Sequence, residues 1–241
     1  MNCPVLLSAD ENALCEMSLQ ERRGASMLNI RDHGTGLALA GILLGITTAA
    51  QAGEGRMLFA SVGDHTRSPI GWVEFCSTNP EACTKGFSQP RDIILTRTAW
   101  RDLEKVNDWV NDTIKPMTDQ EHWGVAERWS LPTDGYGDCE DYVLLKRKLL
   151  IDAGWPTEAL LITIVRDLKD EGHAVLTVKT DKGEYVLDNQ NERVLLWADT
   201  GYRFVKRQSQ SDPNVWVSLG DTRPAVATAS AKRRNNTIRT H

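Results

Sequence analysis

The chain has 241 residues, of which 41% are hydrophobic and 25% charged, with a formal net charge of −5 at pH 7. These values fit one globular domain with flanking segments. The negative balance gives no basis for nucleic acid binding, and no internal repeat or low-complexity tract is present.

The N-terminus reads as a targeting segment. Gly36 to Ile46 is a short apolar run preceded by Arg22, Arg23 and Arg31, and Ala50-Gln51-Ala52 offers small residues at a cleavage site before Gly53. A membrane-spanning helix needs about 20 apolar residues, more than this run supplies. Residues 1–52 are therefore expected to be an N-terminal extension and signal peptide, with Met27 the better start, and the mature chain periplasmic or secreted. Cleavage removes Cys3 and Cys15 and leaves Cys76, Cys83 and Cys139. In an oxidising compartment two of the three should pair. Cys76 and Cys83 enclose a short loop whose closure contributes about 2.5 kcal/mol in a chain-entropy estimate. That leaves Cys139 as the one thiol.

Residues 53–66 read as an extended lead-in, and the tryptophans, all between Trp72 and Trp216, mark a folded domain over 67–220. Trp72 to Gly86 is expected to be a cysteine-bounded loop. Thr96 to Lys115 has helical spacing, with Trp100, Leu103, Val106, Trp109 or Val110, and Ile114 on one face and Pro116 beyond its end. Thr118 to Gly137 has little periodicity. It carries Trp123 and Trp129 and runs directly into Cys139, so it is expected to line a substrate cleft.

Gly137-Asp138-Cys139-Glu140-Asp141-Tyr142 reads as a turn that opens a helix. Asp138 is the expected N-cap, Glu140 and Asp141 suit the positive end of the dipole, and Lys146, Arg147 and Lys148 lie toward the negative end. Tyr142, Leu145, Leu149 and Ala153 recur at helical spacing, and Gly154 is the expected left-handed residue past the C-terminus. Strands follow at Leu160–Val165, from Gly172, over Tyr185–Asn189, and at Val194–Trp197, Tyr202–Val205 and Val215–Val217, with Asp212-Pro213-Asn214 read as a turn. Helices first and hairpins after give an α+β fold with an antiparallel sheet. The polar stretch 221–241, with Lys232, Arg233, Arg234 and Arg239, reads as a disordered basic tail.

A cysteine at a helix N-terminus is a candidate nucleophile, because unpaired backbone amides and the dipole favour the thiolate. A four-residue loop at Thr180-Asp181-Lys182-Gly183 sets His173 opposite Gln190 and diagonal to Asp188 on one face. A loop one residue shorter reverses that parity. Cys139, His173 and Asp188 then supply nucleophile, base and orienting carboxylate in the order acyl transfer needs. His122 is the rival base, in a loop with no strand to fix it, and no paired Cys or His spacing suggests zinc. Three carboxylates, Asp138, Glu140 and Asp141, oppose ionisation of the thiol between them. A hard cation on their oxygens, calcium outside the cytosol, would remove the conflict, although capping also explains acids there.

The strings GDCEDY, GHAVL and VLDN, with the Trp123–Trp129 segment, resemble the bacterial transglutaminase-like cysteine peptidases, the group that includes LapG-type periplasmic adhesin proteases. The resemblance covers about residues 67 to 218. It implies a papain-like arrangement with the nucleophile helix packed on the sheet, and a Cys139–His173–Asp188 cysteine peptidase. It also implies calcium at the acids beside the nucleophile, a surface adhesin as substrate and an inner-membrane receptor. Transfer to an amine, and a calcium-responsive binding module without catalysis, stay open at this point. The Cys139 amide is the natural first oxyanion donor, with Trp123 or Trp129 as a candidate second.

Overall fold

A computed structural model describes residues 57–85 and 89–220. The expected signal peptide (1–52) and basic tail (221–241) lie outside the described residues. The elements in chain order are β1 (Val62–Thr66), α1 (Ile70–Thr78), α2 (Arg97–Thr113), β2 (Lys115–Pro116), the single turn α3 (Asp119–His122), β3 (Tyr136–Gly137) and α4 (Cys139–Asp152). They are followed by β4 (Leu160–Arg166), β5 (Gly172–Thr180), β6 (Gly183–Leu187), β7 (Leu195–Leu196), β8 (Arg203–Ser209) and β9 (Asp212–Leu219).

Seven strands form one sheet in the order β1-β9-β8-β4-β5-β6-β7, every neighbouring pair antiparallel. This is the expected α+β architecture. Every residue of β4 except Arg166 is buried, the mark of a central strand covered on both faces. On one side Val165, Val175, Val186, Leu196, Trp197, Tyr202, Phe204 and Leu219 form a core. On the helical side Val110 and Ile114 meet Tyr142 of α4.

The hairpin of β5 and β6 has the anticipated register, with Thr180 opposite Gly183 and Leu176 opposite Leu187. Gly154 is left-handed at φ 89° and closes α4 through its amide on the Ile151 carbonyl. The Cys76–Cys83 disulfide is present, with an S–S length of 1.98 Å.

Three segments depart from the sequence reading. Part of the lead-in is β1, an edge strand whose side chains are nearly all exposed, so no hydrophobic alternation announces it. Part of the cysteine-bounded loop is α1, which buries only Gly71, Trp72 and Phe75, too short a stripe to read as periodic. Asp212-Pro213-Asn214 belongs to β9, and the turn falls at Gln210-Ser211. Pro213 sits where the register shifts between Gln208 and Ser209, a place that asks no ladder N–H of it.

Candidate active site

The approach to α4 is fixed by a two-strand clip. β2 and β3 pair in parallel, Lys115 beside Tyr136 and Pro116 beside Gly137. Parallel strands end on the same side, so Asp119, just after β2, meets Asp138, just after β3. The Asp119 N–H donates to Asp138 Oδ2 at 3.3 Å. Thr118 and Glu121 form a capping box that starts α3 at Asp119.

Asp138 precedes α4 but makes no side-chain cap bond. Its carboxylate is turned to Asp119 instead, and its Oδ1 is buried with no hydrogen-bond partner among the described residues. Asp138 thus stands at the expected N-cap position, but its side chain does not supply the capping bond. Asp119, Asp138 and Glu140 each bring a carboxylate oxygen within 4.8 Å of the others, all buried. Asp141, expected in the same set, points elsewhere. Its Oδ1 accepts from the Ser130 N–H at 2.7 Å, and Gly137 is packed so closely that a Cβ there would lie 2.7 Å from Asp141 Oδ2. Successive helical residues diverge by about 100°, which separates Glu140 from Asp141.

Burial, with the charge of Asp138, raises Asp119 to about 6 against the donating Arg128 N–H. Burial raises Asp138, and burial with Asp138, Glu127 and Asp141 raises Glu140 well above its ordinary range. Burial likewise pushes Asp141 up to about 8.

Cys139 is the first residue of α4 and is buried. Its Sγ lies 3.2 Å from Glu140 Oε2 and receives the Ala174 N–H at 3.3 Å. The single thiol expected at Cys139 concerns the chain after removal of 1–52.

His173, one residue before Ala174, is fully buried. Its Nε2 lies 2.8 Å from Asp188 Oδ1, and Gln190 Nε2 approaches its Nδ1 at 3.4 Å. With Asp188 accepting, Nε2 carries the proton of the neutral ring, and Nδ1 is the basic nitrogen. Asp188 Oδ1 also accepts from the Gln190 N–H at 2.9 Å, and Oδ2 from the Tyr202 hydroxyl at 2.6 Å. Burial works to raise the Asp188 carboxyl, but His173, Tyr202 and the Gln190 amide hold it below its ordinary value. Burial and the Asp188 charge push the Tyr202 phenol up, so it remains a donor.

The tryptophans divide. Trp129 is a core residue, not a cleft residue. It is buried, packs edge-on to Trp72 and gives its indole N–H to Glu127 at 2.7 Å, which leaves that N–H unsuited to an oxyanion. A Cβ on Gly71 would come within 2.2 Å of it. Trp123 is exposed, stacked on His122 at 3.9 Å and under Arg128 at 4.1 Å. His122 pairs with Asp134 at 2.8 Å. Asp119 and Tyr202 were not singled out from the sequence. The Thr-x-x-Glu box around Asp119 was the available signal for one, and a lone strand tyrosine gave none for the other.

A cysteine opening a buried helix, near a strand histidine backed by a carboxylate, is an arrangement suited to thiol acyl transfer. The family described as bacterial transglutaminase-like cysteine proteinase BTLCP matches residues 62–224, and the chain belongs to it. Similar solved structures include Legionella pneumophila LapG, at 28% identity and a TM-score of 0.42 over 48% of this chain and 67% of that one. Its calcium-bound form matches at 27% identity and 0.43 over 52% and 70%, and its EGTA-treated form at 27% and 0.42 over 51% and 71%. No curated protein sequence matches the chain.

Proposed function

We propose that the protein is an exported cysteine endopeptidase in which Cys139, His173 and Asp188 act as a triad. The observation that carries this is the buried 2.8 Å contact of His173 with Asp188, on a strand whose next amide touches Cys139 Sγ. His173 Nδ1 takes the proton of the Cys139 thiol. The thiolate attacks the scissile carbonyl, the imidazolium returns the proton to the leaving amine, and water then cleaves the thioester with His173 again as base. The Ala174 N–H steadies negative charge on the sulfur, and the helix start adds to it.

Calcium fits the acidic cluster. Three buried carboxylates with raised pKa values, one with an unpartnered buried oxygen, are a donor set suited to a hard cation. Asp119, Asp138 and Glu140 would hold it. The ion supplies positive charge that offsets carboxylates next to the thiolate. Asp141 serves the neighbouring loop through Ser130.

Export rests on the apolar run and Ala50-Gln51-Ala52. A surface adhesin as substrate, and a membrane receptor that holds the enzyme, complete the proposal on the resemblance stated above. The test is mass spectrometry of periplasmic and surface proteins from cells carrying wild type or Cys139→Ala. Fragments that vanish with the thiol support the peptidase, cross-linked species that vanish point to amine transfer, and identical profiles refute both.

A further inference from the structure

α2 presents two asparagines one turn apart to the loop that carries Asp188. Asn107 Oδ1 accepts the Asp188 N–H at 3.1 Å, and Asn111 Nδ2 donates to the Asp188 carbonyl at 2.9 Å. Asn107 Nδ2 reaches further along the same loop to the Glu192 carbonyl at 2.9 Å. Behind them Lys146, fully buried on the nucleophile helix, donates from Nζ to the same Asn107 Oδ1 at 2.8 Å. Helix α4 thus holds Cys139 at one end and, two turns on, a residue bonded to the group that fixes Asp188.

The hydrogen bonds of these three side chains run to the loop backbone and to one another, and burying them is costly. An ammonium taken out of water without full compensation costs several kcal/mol, and a simple core would place methionine or leucine at 146. Asp188 and Asp108 favour the charged ammonium against the burial that pushes it down to about 7. Asn107 is as deeply buried, yet its amide serves loop backbone and no regular ladder.

We propose that Asn107, Asn111 and Lys146 are positioning residues that clamp the Asp188 peptide from both ends and tie it to the nucleophile helix, fixing the triad carboxylate relative to Cys139. The inference rests on the triad reading above. Asp188 projects from a loop just past the end of β6. The sheet ladder therefore does not hold it, and the clamp stands where the ladder stops.

The test needs no substrate. Alkylation of Cys139 by iodoacetamide, on the full chain under a thiol reductant and resolved by peptide mass spectrometry, reports the thiolate as a function of pH. Asp188→Ala and His173→Ala set the scale. Lys146→Met and Asn111→Ala should move the onset of alkylation to higher pH and slow it at pH 6 by roughly 10- to 100-fold, the order that displacing a catalytic group by an ångström costs. Lys148→Ala, an exposed neighbour on the same helix paired with Asp152, should keep the wild-type profile. Asn107→Leu is the strongest variant, and if it fails to fold the other two decide. Folded variants that melt lower but keep the wild-type profile make the clamp purely structural and overturn the proposal. A wild-type profile in His173→Ala and Asp188→Ala instead refutes the triad itself.

Discussion

Tyr202→Phe isolates one hydrogen bond to the triad carboxylate. Asp188 is buried and holds three donors, His173 and the Gln190 amide on Oδ1 and the Tyr202 hydroxyl on Oδ2. Phenylalanine keeps the ring, including its edge contact with His173 at 5.8 Å between centroids, and removes only the 2.6 Å donor. A hydrogen bond to a charged group contributes about 1.5–3 kcal/mol, so the variant should lose about 2 kcal/mol at pH 7. The native Asp188 carboxyl lies below its ordinary 3.8, so its contribution is present above that value and is lost as pH falls through the native one. Removing a donor raises the native value. The deficit should therefore be full at pH 7 and shrink as pH falls through the carboxylate range. Urea denaturation of both proteins across that range measures it. A deficit that stays constant with pH, or is below about 0.5 kcal/mol at pH 7, refutes the claim that the hydroxyl acts on the Asp188 charge.

Cys139→Ala, His173→Ala and Asp188→Ala should each abolish cleavage in proteins that still fold, and the triple variant should lose little more than the worst single one, as turnover assays would record. Chelation should lower the melting temperature and calcium should restore it, by about 2.7 kcal/mol at a hundredfold excess over Kd. In chelator, stability should also rise as pH falls, because Asp119 at about 6 and Asp141 at about 8 bind protons more tightly in the native state. Calcium should flatten that slope. Gly71→Ala should cost several kcal/mol in denaturant titrations, since its Cβ would meet the Trp129 ring at 2.2 Å.

What the sequence made legible was local. The start of α4 at Cys139, its left-handed end at Gly154 and the hairpin turn after Thr180 all follow from residues within a few positions. The parity of that turn put His173 and Asp188 on one face. The illegible contacts join distant segments. Asp119 reaches Asp138 only because two-residue strands pair in parallel, and runs so short carry no period. Asn107 and Lys146 read as ordinary polar positions on amphipathic helices, yet both are buried, because α4 packs against β5 and α2 and Asn107 of α2 meets the loop after β6. Trp129 read as a cleft residue because its segment lacks periodicity, but Gly71 makes room for its ring beneath α1.

Helix α4 concentrates the contacts that local sequence does not encode. A surface helix can send charged residues to water, and the expected placing of Lys146 and Arg147 near the negative end of the dipole assumed that freedom. Here α4 is packed on several sides, and each polar residue has to find a protein partner. Arg147 donates to the Leu160 and Ala82 carbonyls, Lys146 to Asn107, and Asp141 accepts from Ser130. Asp138 and Glu140 instead gather with Asp119, and the charges of Asp138 and Asp119 also act on Asp141. Burial that leaves like charges together beside the nucleophile places an electrostatic cost at the point where a cation would offset it.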